Sequence, residues 1–136
     1  MNLQLIKNPD EKKAIVYKIS RIIYAETKAN SLLVVEALAS MIRNLHIATM
    51  QRYEDIINDK ELFESLSKNS NRHALLSIDS NNRAFQMCVR VVQRMLNDDL
   101  EDNCCGAIRF HRSEKLPDWS LDKGYIADID GLLFYL

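Results

Sequence analysis

Glycine and proline are scarce, at three and two residues in a chain of 136. So few turn formers argue against a loop-rich β-sandwich and favour a mainly helical protein. Neither sign of charge dominates, with 18 Lys and Arg against 19 Asp and Glu. A nearly neutral chain offers no basic surface for nucleic acid, which is not expected as a partner. The three cysteines, Cys88, Cys104 and Cys105, make a poor disulfide framework. Adjacent Cys104 and Cys105 with His111 downstream match no zinc spacing, so neither a metal nor a cofactor is expected. No stretch is read as approaching the ~18 apolar residues of a membrane-spanning helix. The first residues, Met1 to Lys7, lack a basic segment followed by a long apolar one, and no signal peptide is visible.

What is present suits a single domain over residues 1–136, with 1–9 as an N-terminal arm. Pro9-Asp10-Glu11 is a helix-start signal, and the first helix is predicted from about Asp10 to Lys28. Asn30-Ser31 breaks it, Asn being tolerant of the left-handed conformation. A second helix is predicted from about Ser31 to Leu45, with Val34, Leu38, Met41, Ile42 and Leu45 on its apolar face. Short helical pieces from Tyr53 to Ser67 carry Ile56, Ile57, Leu62, Phe63 and Leu66 as anchors. Polar loops at 68–72 and 79–82 precede a third long helix ending near Leu96, striped with Phe85, Cys88, Val91, Val92, Met95 and Leu96. Gly106 to His111 alternates, placing Ile108 and Phe110 on one face and Arg109 and His111 on the other. Gly131 to Leu136 is a second strand candidate, and the segment between, with Pro117, Trp119 and Gly124, reads as a loop. The fold class is α+β, mainly α: a helical body with a small C-terminal β-ribbon.

One residue conflicts with this pattern. Ile15, Ile19 and Ile22 fall on a narrow arc flanked by Val16 and Ile23, and Glu26 continues it. Tyr17, Lys18, Ser20 and Arg21 occupy the other sides, where solvent is expected. A carboxylate on a core stripe costs free energy unless it is paired, protonated or facing a cleft. A pairing with Arg21, Lys28 or Arg43 would make Glu26 structural.

The same residues resemble the SleB-like cell wall hydrolase family of the spore-cortex-lytic type. Its signature Tyr-Gly-Glu-Ala-Arg-Gly-Glu is similar to Tyr24-Ala25-Glu26-Thr27-Lys28-Ala29-Asn30. Asn44 falls on the Asn of the family's Asn-Arg, with Leu45 in place of the Arg. Ile56, Ile57 and Phe63 match an apolar pair and the Phe beyond it. Gly106 to His111 resembles a Gly-Ala-Thr-His-Phe-His strand, followed by Trp119 and a closing Phe134-Tyr135. The likeness runs from about Ile15 to the end. Arg109, Asp130 and Leu132 depart from it, standing where relatives have His, Gly and His, and Glu36 interrupts an apolar position.

The resemblance implies a lysozyme-like fold acting on peptidoglycan glycan strands, between N-acetylmuramic acid and N-acetylglucosamine. It also implies a lytic transglycosylase that forms 1,6-anhydro products, with Glu26 as general acid and then base. A proton donor needs a raised pKa, and apolar neighbours with the negative end of its own helix would supply that for Glu26. Candidates for a second carboxylate are Glu61, Glu64 and Asp79. The substrate-binding candidates are Tyr24, Asn44, Phe63, His111, Trp119 and Tyr135. Tyr24 is either exposed or in the cleft, and Asn44 either caps the second helix or holds Glu26. Phe63 suits the core more than a sugar platform. Trp119 and Tyr135 stack on sugar or anchor the ribbon. The alternative function is a catalytically degenerate glycan- or protein-binding module of the same fold. The expected location is the cytoplasm, or the cell wall through a route other than a classical signal.

Overall fold

A computed structural model of the chain describes residues 14–113 and 116–136. The predicted arm and the helix start at Asp10 lie outside the described residues. The first described helix, α1, spans Ile15–Thr27 and is central to the fold. Tyr17 and Ser20, assigned to solvent by periodicity, are buried along with Ile19, Ile22, Ile23 and Ala25. The single-arc reading fails because other elements pack on several sides of α1. Ser20 satisfies its hydroxyl by donating to Val16 O at 2.6 Å, which permits burial in a helix.

The left-handed residues after α1 are Lys28 (φ 55°) and Ala29 (φ 52°), not Asn30 as expected. Lys28 N–H donates to Tyr24 O at 2.7 Å, closing the helix end and turning the chain back sharply. Ser31 then caps α2, Leu32–Thr49, its hydroxyl accepting from Val34 N–H at 3.1 Å. This helix runs four residues beyond the predicted Leu45. At that length it is apolar enough to cross a membrane by length and composition, correcting the expectation that no stretch would be. In this fold Val34, Val35, Ala37, Leu38, Ala39, Met41 and Ile42 are core residues.

The short helix α3, Tyr53–Ile56, is followed by 3₁₀ turns at Glu64–Leu66 and His73–Ser77. The second of these turns follows the predicted 68–72 loop. Asn82 caps α4, Arg83–Leu96, its side chain accepting from Phe85 N–H. Phe85, Cys88, Val91, Val92 and Met95 of the predicted stripe are buried, and Leu96 packs at its margin.

The C-terminal ribbon has three strands, one more than predicted. They are β1 (Arg109–Arg112), β2 (Tyr125–Ile129) and β3 (Leu132–Tyr135), antiparallel in the order β1-β3-β2. Asp130 (φ 51°) and Gly131 (φ 83°) join β2 to β3, both in the left-handed region that a two-residue type I′ hairpin demands. Asp-Gly is a strong hairpin signal in sequence, and it marks β2 where only a loop was expected. The hairpin tip is fastened to the start of α2 by a hydrogen bond from Ser31 to the Asp130 carboxylate.

Register decides which side chains of the ribbon meet the helices. Phe110 pairs with Phe134 and Arg112 with Leu132, so these four share the face turned to the core. His111 and Tyr135 lie on the opposite face, covered by the 3₁₀ segment Asp118–Asp122 that carries Trp119. The observed strand begins at Arg109, so Ile108 precedes it.

Candidate active site

Glu26 occupies the last turn of α1 and is 1% exposed. Its partner is none of Arg21, Lys28 or Arg43. Arg112 reaches across from β1, with Nη2 on Glu26 Oε1 and Nη1 donating to Glu26 O at 2.8 Å. The other carboxylate oxygen, Oε2, accepts from Ser65 N–H at 2.8 Å. Arg72 Nη1 donates to Ala25 O at 3.2 Å and to Glu26 O at 3.3 Å. Two arginines therefore take carbonyl groups that the end of α1 leaves unbonded. Positive charge there also opposes the negative pole of the helix. The environment expected for Glu26, apolar walls and an uncompensated helix end, is corrected to an ion pair in a buried setting.

Two of the alternative partners, Arg21 and Arg43, are engaged elsewhere. Arg21 donates to Leu76 O and Ile78 O at 3.0 and 2.7 Å and lies over the Phe85 ring. Arg43 pairs with Asp98 at the surface, and Glu36 with Arg94.

Arg112 was missed because the predicted strand stopped at His111. Extending the alternation by one residue would have placed Arg112 on the core face with Phe110. A core arginine requires a partner, and Glu26 was the unpaired core carboxylate.

Glu26 and Arg112 border a cavity of about 400 Å³, also lined by Lys60, Glu61, Leu62, Glu64, Phe110, His111, Leu116, Pro117 and Trp119. One wall is aromatic. His111 stacks on Tyr135 with ring centres 5.2 Å apart, and the Trp119 edge meets both rings. His111 Nδ1 bonds Arg112 O at 2.7 Å, which requires the proton on Nδ1. In the neutral ring Nε2 is then the acceptor for the Tyr135 hydroxyl at 2.8 Å. Arg109, where the family likeness has His, places its guanidinium 5.7 Å from the Trp119 ring centre.

Of the predicted substrate residues, His111 and Trp119 line this cavity, with Tyr135 behind them as their support. Tyr24 does not border it. Tyr24 packs edge-on against Phe85 of α4, because its position on α1 points to a different side from Glu26. Asn44 neither caps α2 nor touches Glu26. It lies within the helix, and Nδ2 donates to Ala107 O at 3.1 Å and Asp102 Oδ2 at 3.2 Å. It thus fastens the loop that leads into β1. Phe63 is fully buried, its ring 6.0 Å from that of Phe110. Of the three second-carboxylate candidates, Glu61 and Glu64 border the cavity, while Asp79 holds the turn before α4 by accepting from Asn81 N–H.

The departing residues have visible places. Leu132 is a core residue beside Arg112 in the β1–β3 pairing, and Asp130 forms the hairpin tip. Cys104 is buried, its Sγ 3.3 Å from Asp102 Oδ1, and Cys105 is exposed. No protein-family model, curated protein or solved structure matches the chain.

Proposed function

We propose that this protein is a peptidoglycan-cleaving glycosidase of the SleB-like type, cutting between N-acetylmuramic acid and N-acetylglucosamine with Glu26 as general acid. The observation that carries this reading is Glu26, the one buried carboxylate among the described residues, bordering a cavity that His111 and Trp119 also line. Pyranose rings present C–H faces that suit Trp119, while their hydroxyls need polar partners of the kind Glu61, Glu64 and Lys60 supply. The cavity is large enough for a sugar-sized ligand. The turn after α1 adds support. Ala29 adopts φ 52°, and the family signature carries Gly at the matching place.

In the proposed reaction Glu26 first takes up a proton from solvent and then gives it to the glycosidic oxygen as positive charge develops on the sugar. Arg112 stabilises the carboxylate that remains, and its second bond to Glu26 O fixes the backbone that aims the group. The positive sugar centre can then be quenched in two ways. In the transglycosylase route Glu26 takes the proton of the muramic C6 hydroxyl, which closes the 1,6-anhydro ring. In the hydrolytic route water attacks instead.

A specific observation favours a second reading, a glycan-binding module without catalysis. Both oxygens of Glu26 are engaged, one by Arg112 and one by Ser65 N–H. Incubation of the protein with purified peptidoglycan, followed by mass spectrometry of soluble fragments, separates the two. Fragments released by the wild type and lost in Glu26→Gln support the enzyme. Binding to the insoluble wall without release, across a range of pH and wall types, would establish the module.

A further inference from the structure

We infer that Arg109 is a specificity residue of this site. Its guanidinium takes a carboxylate of the short peptides that wall glycan carries, so that peptide-bearing strands bind in preference to bare ones. The inference rests on the wall-glycan reading of the cavity and names a part of the substrate that lies outside it.

Sheet register puts Arg109 in place. Arg109 and His111 alternate onto the same face of β1, about 7 Å apart at Cα for an extended strand. Arg109 pairs with Tyr135 of β3, which pairs in turn with Tyr125 of β2, so the three form a row across the outer face of the ribbon. Trp119 lies against this face. Its ring meets His111 and Tyr135 edge-on, and the Arg109 guanidinium lies over it, 5.7 Å from the ring centre. Trp119 and His111 border the cavity, and Arg109 does not. One indole ring thus touches both the cavity and the cation.

The charges on the two sides of that ring differ. With the Glu26–Arg112 pair set aside, the described cavity residues include Glu61 and Glu64 against the one cation Lys60. Such a lining suits sugar hydroxyls and amides and disfavours a carboxylate. Arg109 is exposed, and among the described residues no carboxylate pairs with it, whereas Arg43, Arg52 and Arg94 each hold an acid. A guanidinium over an aromatic face keeps its in-plane N–H donors available, and their planar fork matches a carboxylate at two points. Stacking also restrains the side chain before a ligand arrives, which lowers the ordering cost of binding. The family likeness has His at this place, and a neutral imidazole offers one donor and no charge. Two extended residues of a peptide span at most about 7 Å, the same scale as the step from His111 to Arg109.

The test is calorimetric titration of the wild type, Arg109→Gln and Arg109→Lys with a soluble wall stem tripeptide, either with free carboxyls or amidated at them. Arg109 is exposed, so both variants are expected to fold, and thermal melting checks this. The wild type is expected to bind the free acid and not the amide. Arg109→Gln is expected to weaken that binding about tenfold or more, the scale for one charge-assisted hydrogen bond, and Arg109→Lys to weaken it less. In digestions, the wild type is expected to show a lower KM for intact peptidoglycan than for glycan strands stripped of peptide by an amidase. Arg109→Gln should raise the first KM toward the second. No binding of the free acid, equal binding of the amide, undiminished binding by Arg109→Gln, or equal KM values in the wild type would each overturn the role of Arg109. None of these would touch the glycosidase reading. Peptide binding through Arg109 with no fragment released from the wall would instead sink the glycosidase reading and keep Arg109 as a peptide contact.

Discussion

Arg112 holds Glu26 at two points, the carboxylate and the main-chain carbonyl, although 86 residues separate them in the chain. The pair is almost fully buried, with side-chain exposures of 7% and 1%. Breaking such a pair by removing one partner leaves an uncompensated charge in a medium that cannot solvate it.

Replacement of Arg112 by Met is therefore expected to destabilise the fold by about 3–5 kcal/mol, the range for orphaning one buried charge. Glu26→Leu combined with Arg112→Met should recover most of that loss. Urea unfolding of the two single variants and the double variant closes the cycle. An Arg112→Met variant as stable as the wild type would show that the guanidinium is not committed to Glu26.

Ala29→Gly is expected to stabilise the protein by about 0.5–1 kcal/mol. Relief of the left-handed penalty on an L residue outweighs the added freedom of glycine in the unfolded chain. The φ of 52° at Ala29 is the reason. Thermal melting decides it, and a lowered midpoint would contradict the turn geometry.

The one tryptophan of the chain borders the cavity, so its fluorescence reports occupancy directly. On the proposed glycosidase reading, soluble glycan fragments are expected to shift or quench Trp119 emission in Glu26→Gln, the variant expected to bind without turning over. Tyr24→Phe should leave that titration and the cleavage rate unchanged, because Tyr24 contacts Phe85 away from the cavity. A Tyr24→Phe variant with impaired binding would contradict this placement.

The three thiols should separate by reactivity. Burial pushes Cys88 up to about 12, and burial together with the Asp102 carboxylate raises Cys104 strongly. A thiol held in its protonated form is a poor nucleophile. Exposed Cys105 is expected to react first with an aromatic disulfide reagent, giving one equivalent in the native state and three after unfolding. Two rapid equivalents from native protein would show that the Cys104 loop opens.

Acid should reveal the loop that Asn44 fastens. Burial acts to raise Asp102, but donors from Cys104 N–H, Cys104 Sγ, Gly106 N–H and the Asn44 amide outweigh it and leave Asp102 below the ordinary aspartate value. A folded value below the unfolded one stabilises the fold at pH above the unfolded value, near ~3.9. That contribution is lost as pH falls through the folded value. Asp102→Asn should be less stable than the wild type at neutral pH, and the difference should shrink below about pH 4. Urea midpoints measured from pH 7 to pH 2.5 test the sign.

Local chemistry made much of this architecture legible. The stripe of Phe85, Cys88, Val91, Val92 and Met95 is a helix because its spacing admits no other regular structure that buries all five. The alternation around Phe110 announces a strand, and Glu26 is conspicuous as a carboxylate among isoleucines. The missed β2 strand was signalled by Asp130-Gly131, and the missed Arg112 by one more step of the same alternation.

Other features have no local signal. Tyr17 and Ser20 are buried because further elements pack around α1, which a one-arc pattern cannot anticipate. Asn44 meets Ala107 and Asp102 across a loop whose path depends on how α2 and the ribbon dock. The sequence by itself determined that a carboxylate would stand in the core at the end of α1. Only the tertiary structure decided that Arg112 and Ser65 N–H would hold it and that His111 and Trp119 would line the same cavity. Helical and strand periodicity fix which face a side chain takes, whereas its partner depends on how the elements pack.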